Sequence, residues 1–362
     1  MLSEPTLIVN KEICRANIKN MAQKAQDLGI KLRPHFKTHQ SHTIGRWFRN
    51  YGITSIAVSS PNMAQYFADD GWSDITIAFP FIPDQSDAIN SLAKKVELQV
   101  TVSSLGNAIM ASQSILSKMS VLIEIDSGQG RSGVNSNDSN EINSIISILL
   151  KNQNVNFLGF LTHAGQSYQL KPNQLPDFNN NICKLLSSLK RNWITDFPNL
   201  IISYGDTPTS VICNSFQGMD ELRPGNFIFF DMQQANQGVC STSDIAIALA
   251  VPLVSVYADK LKAIVWGGAV HLSKDFYIDT DGNKSFGAVC KLHADLTWSE
   301  PIQGVYLESV SQEHGVIKAQ DIEAFKRIEN EEHLAILPAH SCLAVHSMRE
   351  LWIDGYGKTP TL

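Results

Sequence analysis

The sequence predicts an α/β protein, a (β/α)8 TIM-like barrel followed by a C-terminal β-rich domain. Two observations lead there. Apolar runs alternate with helix-patterned segments through the first 240 or so residues, and beyond that point extended segments follow one another without long helices between them. The 362 residues, 43% of them hydrophobic, exceed what one core usually organises, so two domains are expected.

The first element is a helix capped by Asn10. Ile18, Met21, Ala25 and Leu28 recur at helical spacing and Gly29 stands at its end. Apolar runs at 30–33, 53–58, 75–79, 98–102, 121–125, 157–161, 200–203 and 227–230 then give eight strands. Eight β/α units in about 220 residues suit a closed barrel, although a doubly wound sheet fits the same alternation. Extended segments at 245–256, 262–265, 287–292, 304–310 and 334–337 form the second part. The expected boundaries are 10–240 for the barrel and 241–362, with 1–9, for the β-rich domain. No fixed-period repeat, low-complexity tract or long linker is present.

Composition narrows the function. A formal net charge of −6 and the lack of any Lys/Arg run argue against nucleic acid. No signal-like N-terminus and no stretch of about 18 apolar residues is found, so neither a membrane nor export is expected, and the cytoplasm is the expected location. Six cysteines scattered over the chain do not form the dense framework of a small secreted domain. A small-molecule partner remains.

The richest cluster is Arg33-Pro34-His35-Phe36-Lys37-Thr38-His39, just after a short strand. Burial or neighbouring positive charge keeps a lysine as the neutral amine that Schiff-base formation requires, and Arg33, His35 and His39 are candidates to supply it. Taken alone, the segment reads first as an exposed basic loop. Asp126-Ser127-Gly128-Gln129-Gly130-Arg131-Ser132-Gly133 lets backbone approach a ligand closely, or is a glycine turn with a solvated arginine. Thr162-His163-Ala164-Gly165-Gln166-Ser167-Tyr168 offers an imidazole and a phenol, and His163 alone would pass as a structural histidine. Tyr204-Gly205-Asp206-Thr207-Pro208-Thr209, with a helix start at Pro208, and Arg223-Pro224-Gly225-Asn226 are possible anion cradles. Ala339-His340-Ser341-Cys342 places imidazole and thiolate two residues apart; on a strand both would face one side, as metal ligands or as ordinary half-buried residues.

In this order, the motifs resemble those of the fold type III pyridoxal 5'-phosphate (PLP) enzymes in the group of D-serine dehydratase and D-threonine aldolase, within an alanine racemase-like fold. The resemblance covers nearly the whole chain. It implies that Lys37 carries PLP and later acts as the base at the substrate Cα. Arg131 is then placed near the cofactor ring, His163 against it, and Tyr168 on the substrate side, where it is also a candidate catalytic group. Tyr204, Gly205, Thr207, Gly225 and Asn226 fall in the phosphate-binding loops, and Arg223 falls opposite the pyridine nitrogen. His340 and Cys342 become ligands of a divalent metal, zinc with manganese as the alternative. Cysteine at the second ligand position favours dehydration over aldol cleavage. Ser273-Lys274-Asp275 and Gln312-Glu313-His314 match further segments of the group without assigned roles; Lys274 is a Schiff-base rival only should Lys37 fail.

The resemblance therefore implies a homodimeric lyase acting on a D-β-hydroxy amino acid. D-Serine dehydratase, giving pyruvate and ammonia, is the first expectation. D-Threonine aldolase, D-3-hydroxyaspartate dehydratase and amino-acid racemase are the alternatives.

Overall fold

The structure is a computed structural model that describes residues 3–362. The chain folds into two compact units. One comprises Asn20–Lys37 and Gly45–Gly225; the other comprises the chain up to Lys19, Thr38–Ile44 and Asn226–Leu362.

The first unit is a barrel of parallel strands. Lys31–Leu32, Glu221–Leu222, Ile201–Gly205, Val155–His163, Met119–Asp126, Glu97–Val102, Asp74–Pro80 and Ser55–Val58 are neighbours in that order. The ring closes where His35 bridges Ala57, with the Phe36 amide donating to Ala57 O at 2.9 Å and the Ala57 amide to Pro34 O at 3.0 Å. Seven strands lie where the apolar runs place them. The eighth does not: it is Glu221–Leu222, and 227–230 forms a 3-10 turn over Asn226–Ile228 followed by loop. Phe227, Ile228, Phe229 and Phe230 are all buried, and a short buried apolar run looks the same in sequence whether it is strand or helix.

Several of the helices between strands start at side-chain caps. Ser60 Oγ accepts from the Met63 amide at 3.2 Å, Ser104 Oγ from Asn107 at 3.1 Å, and Asp138 Oδ1 from Glu141 at 2.9 Å. Each such cap stabilises its helix by about 1 kcal/mol. In Pro61–Asp69, for example, Met63, Ala64 and Phe67 are buried at i, i+1 and i+4, the apolar stripe that seats a helix on a sheet.

The second unit is dominated by a mostly antiparallel nine-stranded sheet. Within it Lys262–Trp266, His314–Ala319, Val305–Val310, Gly287–Lys291, His333–Pro338 and Ile247–Tyr257 follow one another, and the last pairs back onto the first. That closure removes free edges from this part of the sheet. Bulges between Leu253 and Ser255 and between Leu307 and Ser309 bend it. The inside is apolar: Leu249, Val251, Val265, Val289, Leu307, Ile317 and Ile336 are all fully buried. Thr6–Val9, Glu350–Ile353 and Gly357–Pro360 extend the sheet. Among the described residues no helix is long and apolar enough to cross a membrane, and all six cysteines are free.

Candidate active site

Strand alternation sorts the lysine motif. Arg33 and His35 fall at i and i+2 of the extended chain after Lys31–Leu32 and share one face, and Lys37 follows in the next turn with its charge close to His35 and His163. Phe36 points the other way, completely buried against Phe48, Phe67 and Trp72 with ring centroids 4.9, 4.9 and 5.0 Å away. That anchor fixes the turn that presents Lys37, which is exposed at the strand's C-terminal end, the end that carries catalytic groups in such barrels.

These three residues have different tasks. Arg33 is only 1% exposed and pairs with Asp74 at 2.6 Å and Glu221 at 2.7 Å. Burial works against its charge, but the two carboxylates more than offset this and raise its pKa. Arg33 is thus neutralised deep in the barrel, and the sequence expectation that it supplies positive charge around Lys37 does not hold. His35 does lie beside Lys37, and its Nδ1 accepts from the Lys37 amide at 3.3 Å. Burial first, then the charges of Lys37, Arg223, His163 and Arg131, push its pKa well below the ordinary imidazole range. His39 lies in the other unit, buried, with Nδ1 accepting from the Ser41 amide at 3.1 Å.

His163 ends the strand Val155–His163 and faces the same charges. Its pKa falls to about 3, from burial and then from Lys37 and Arg131. Its Nδ1 is 2.8 Å from the carbonyl oxygen of Gly205, so Nδ1 carries the hydrogen. Tyr168 lies 6.1 Å from it, centroid to centroid, and its hydroxyl accepts from the Thr207 amide at 3.3 Å. Arg131, with a side chain 56% exposed, has its guanidinium 4.0 Å from Glu124. Arg223 is buried: it donates to Ser203 Oγ and, at 2.7 Å, to the Thr162 carbonyl. Burial lowers its pKa to about 10, which leaves it cationic at neutral pH.

The loop after Ile201–Gly205 is shaped by Asp206. This buried residue caps the helix Thr207–Ile212 through the Thr209 amide at 2.7 Å and accepts from Thr209 Oγ1 at 2.8 Å. Burial raises its pKa to about 6. Tyr204 is fully buried, its hydroxyl 3.1 Å from Thr209 Oγ1, so its side chain braces the loop from below. Gly205 has a steric reason: a Cβ there would meet Arg223 Cβ at 3.0 Å and its carbonyl oxygen at 3.1 Å. Around Lys37 the barrel thus collects Arg131, Arg223 and two neutral imidazoles beside this capped loop. A cationic surround of that kind suits an anionic phosphate ester, so these residues fit PLP.

In the second unit, His340 and Cys342 do not lie on a strand. His333–Pro338 ends before them, His340 is the N-cap of the helix Ser341–Met348, and Cys342 sits in its first turn. Pro338 is the last paired residue of that strand, opposite Gly287, and the chain turns into the helix after Ala339. The two side chains are nevertheless hydrogen-bond partners. His340 Nδ1 is 2.7 Å from Oδ2 of Asp275, which leaves Nε2 as its other donor atom. Burial opposes protonation of His340, but the Cys342 sulfur, Asp231 and Asp275 outweigh it and raise the pKa to about 10.

The same unit holds Asn226, whose side chain is turned to this pair. Its Nδ2 donates to Asp231 Oδ2 at 2.7 Å, to Ser341 Oγ at 3.2 Å and to the Cys342 sulfur at 3.7 Å. Cys342 Sγ is also 3.4 Å from Thr38 Oγ1. An imidazole and a thiol in contact, with an amide hydrogen directed at the sulfur, form a donor set that suits a borderline-soft divalent cation. Among the described residues no group of three or more His, Cys, Asp and Glu side chains is placed to hold a metal. Asp231 and Asp275 had no spacing signal in the sequence, because each meets the pair across a long stretch of chain. His314, exposed, heads the strand His314–Ala319 opposite Trp266, and Lys274 is exposed beside Asp275.

The sequence model described as alanine racemase, N-terminal domain, matches residues 9–233. The chain belongs to that family. A model described as a putative serine dehydratase domain matches 246–353. A D-threo-3-hydroxyaspartate dehydratase of Delftia sp. (strain HT23) is 29% identical over 360 residues, covering 94% of this chain and 91% of the relative. The D-serine dehydratase of Dictyostelium discoideum is 26% identical over 377 residues, with coverages of 94% and 91%. The solved Delftia dehydratase superposes with a TM-score of 0.89 at 27% identity, over 100% of this chain and 98% of the other. A mutant of D-threo-3-hydroxyaspartate dehydratase solved in the metal-free form gives 0.90, with the same identity and coverages. The protein is an enzyme of this alanine racemase-like, PLP-dependent family, and its two-part fold is the one the sequence predicts.

Proposed function

We propose that the protein is a PLP- and metal-dependent lyase that eliminates water from a D-3-hydroxy amino acid, with D-serine and D-3-hydroxyaspartate as the substrates to compare. One combination carries this reading: a strand-end lysine among His35, His163, Arg131 and Arg223, and a His340–Cys342 donor pair in the same chain. A racemase needs two opposed bases and has no use for that pair. Zinc, a homodimer, a cytoplasmic location and the 10–240 and 241–362 domain assignment belong to the same proposal.

PLP supplies the electron sink for charge left at Cα, and the metal supplies a Lewis acid for the departing hydroxyl. The chain's own residues do the rest. Lys37 Nζ would hold the cofactor and would take the Cα proton as base. His163 stays neutral, with Nδ1–H fixed on Gly205, and so presents a flat uncharged ring. Arg223 stays cationic and buried, oriented by Ser203 and the Thr162 carbonyl. Were it to meet the pyridine nitrogen of bound PLP, this cation would disfavour protonation there and temper the sink. His340 Nε2 and Cys342 Sγ would hold the metal.

The test is keto-acid release from purified protein loaded with PLP and zinc, with and without chelator. Chelator-sensitive pyruvate from D-serine, or oxaloacetate from D-3-hydroxyaspartate, supports dehydration and names the substrate. Glycine and acetaldehyde from D-threonine with no keto acid from either would replace it with aldol cleavage.

A further inference from the structure

The imidazole of His340 is gripped at Nδ1. Asp275 Oδ2 lies 2.7 Å from Nδ1, and because a carboxylate only accepts, the hydrogen must sit on Nδ1. In the neutral ring the lone pair is thereby assigned to Nε2, the nitrogen left for a metal. The two residues are 65 positions apart. The strand His333–Pro338 delivers His340, and the segment after the helix Ala269–Leu272 delivers Asp275.

That segment is held in an unusual conformation. Ser273 has φ 76° and ψ −174°, a region that non-glycine residues rarely occupy and that clusters at functional sites. Its Oγ accepts from the Asp275 amide at 3.1 Å, so the strained turn is also the turn that aims the carboxylate. The other nearby acid does something different. Asp231 accepts from the Ser341 amide at 3.1 Å and from Asn226 at 2.7 Å, and so fixes the backbone between the two ligand positions rather than the ring.

On the reading that His340 and Cys342 ligate the metal, we infer that Asp275 is a positioning residue that sets the tautomer and direction of His340 and thereby governs metal affinity. A carboxylate behind a ligating imidazole locks the ring and raises its basicity, and losing one typically weakens binding 10–100-fold. As a mere half-exposed ion pair, with side chains 40% and 32% exposed, the contact would be worth little and would leave metal affinity unmoved.

The experiment is zinc titration of the full-length, PLP-loaded protein against a competing chelator, together with the cobalt–thiolate absorption of the cobalt-substituted protein. D275A is expected to bind zinc about 10–100-fold more weakly and to change the cobalt spectrum while keeping bound PLP. D275N can still accept from Nδ1 and is expected to lose less. Wild-type affinity and spectrum in D275A would overturn the inference, and H340A separates the two levels. If H340A loses zinc and D275A does not, only the role of Asp275 fails. If H340A binds zinc like wild type, the metal reading fails and the inference with it. Should D275A not fold, D275S, whose shorter side chain cannot reach Nδ1, decides by the same comparison, wild-type affinity and an unchanged spectrum counting against the inference.

Discussion

The Nδ1 of His163 lies 2.8 Å from the carbonyl oxygen of Gly205, joining the ends of two adjacent barrel strands through a neutral imidazole. Its pKa of about 3 has a consequence for folding. Below about pH 6.5 the unfolded chain protonates this histidine and the folded chain does not, so folding loses free energy as pH falls from there towards 3. His35 and His39 are depressed in the same direction by burial. Asp206 opposes them: raised to about 6, it adds stability below its unfolded value that is lost as pH rises through 6. Asp231 and His340 are raised as well and His271 is lowered, so four depressed imidazoles stand against three raised groups. Thermal midpoints should therefore drop on acidification from pH 7 to 5, and His163→Asn should flatten that slope. A midpoint that rises on acidification would refute the assignment.

Lys37 is expected to be the cofactor's anchor. In Lys37→Ala the visible absorbance of protein-linked PLP should disappear together with lyase activity. The fold should persist, because the turn is held by buried Phe36 and by the His35–Ala57 bridge rather than by the exposed amine. Absorption spectra and far-UV circular dichroism of the same sample check both. Retention of the protein-linked chromophore would return attention to Lys274.

Glu221 is the keystone of the polar barrel interior. It is 2% exposed, pairs with Arg33 at 2.7 Å and accepts from Ser203 Oγ, which in turn accepts from Arg223. Removing one member of a buried ion pair leaves an uncompensated charge and costs about 3–5 kcal/mol. Glu221→Ala should lose stability on that scale in urea unfolding, and the orientation of Arg223 with it. A loss within about 0.5 kcal/mol, the range of an ordinary surface change, would show that the network is not needed.

What the sequence disclosed follows the range of the forces involved. Strands such as Met119–Asp126 and Val155–His163 are legible because their apolar runs are continuous and local. Glu221–Leu222 is hidden, being two residues long with a charged first member that points into a polar interior. Lys37, His163 and Arg223 were found because each lies in a short motif at a strand end. Asp275 and Asp231 were not assigned, since their partners lie 65 and 110 residues away; the segment around Asp275 matched the group without showing a role, and nothing near Asp231 announces it. The placement of His340 and Cys342 at a helix start also needed three dimensions, because Pro338 could have closed a strand or preceded a bend.

Gly159 reports on barrel closure. Its φ is 142°, and a Cβ there would sit 2.1 Å from the Ile201 carbonyl oxygen on the neighbouring strand. It also follows the register shift between Val121 and Leu122 on the other side. Gly159→Ala must therefore push two backbones apart, at a cost of about 1–3 kcal/mol if the strands can adjust. The measurement is the urea midpoint. An unchanged midpoint would mean that the strand lies differently there.

Cys342 separates the cofactor from the metal. It lies in the second unit, in contact with His340, Asn226 and Thr38, whereas Lys37 belongs to the barrel unit. Replacing the sulfur should leave PLP binding intact. If elimination needs a Lewis acid at the departing hydroxyl, Cys342→Ala should lose nearly all dehydration while the chromophore remains, and excess zinc should restore only part of it, because His340 alone is a single ligand. Cys342→Asp keeps an anionic donor at the position and should recover more than alanine does. Activity, bound PLP and bound metal measured on the same preparations check this. Full turnover in Cys342→Ala after chelation would mean that the pair is structural and that the hydroxyl departs with help from elsewhere.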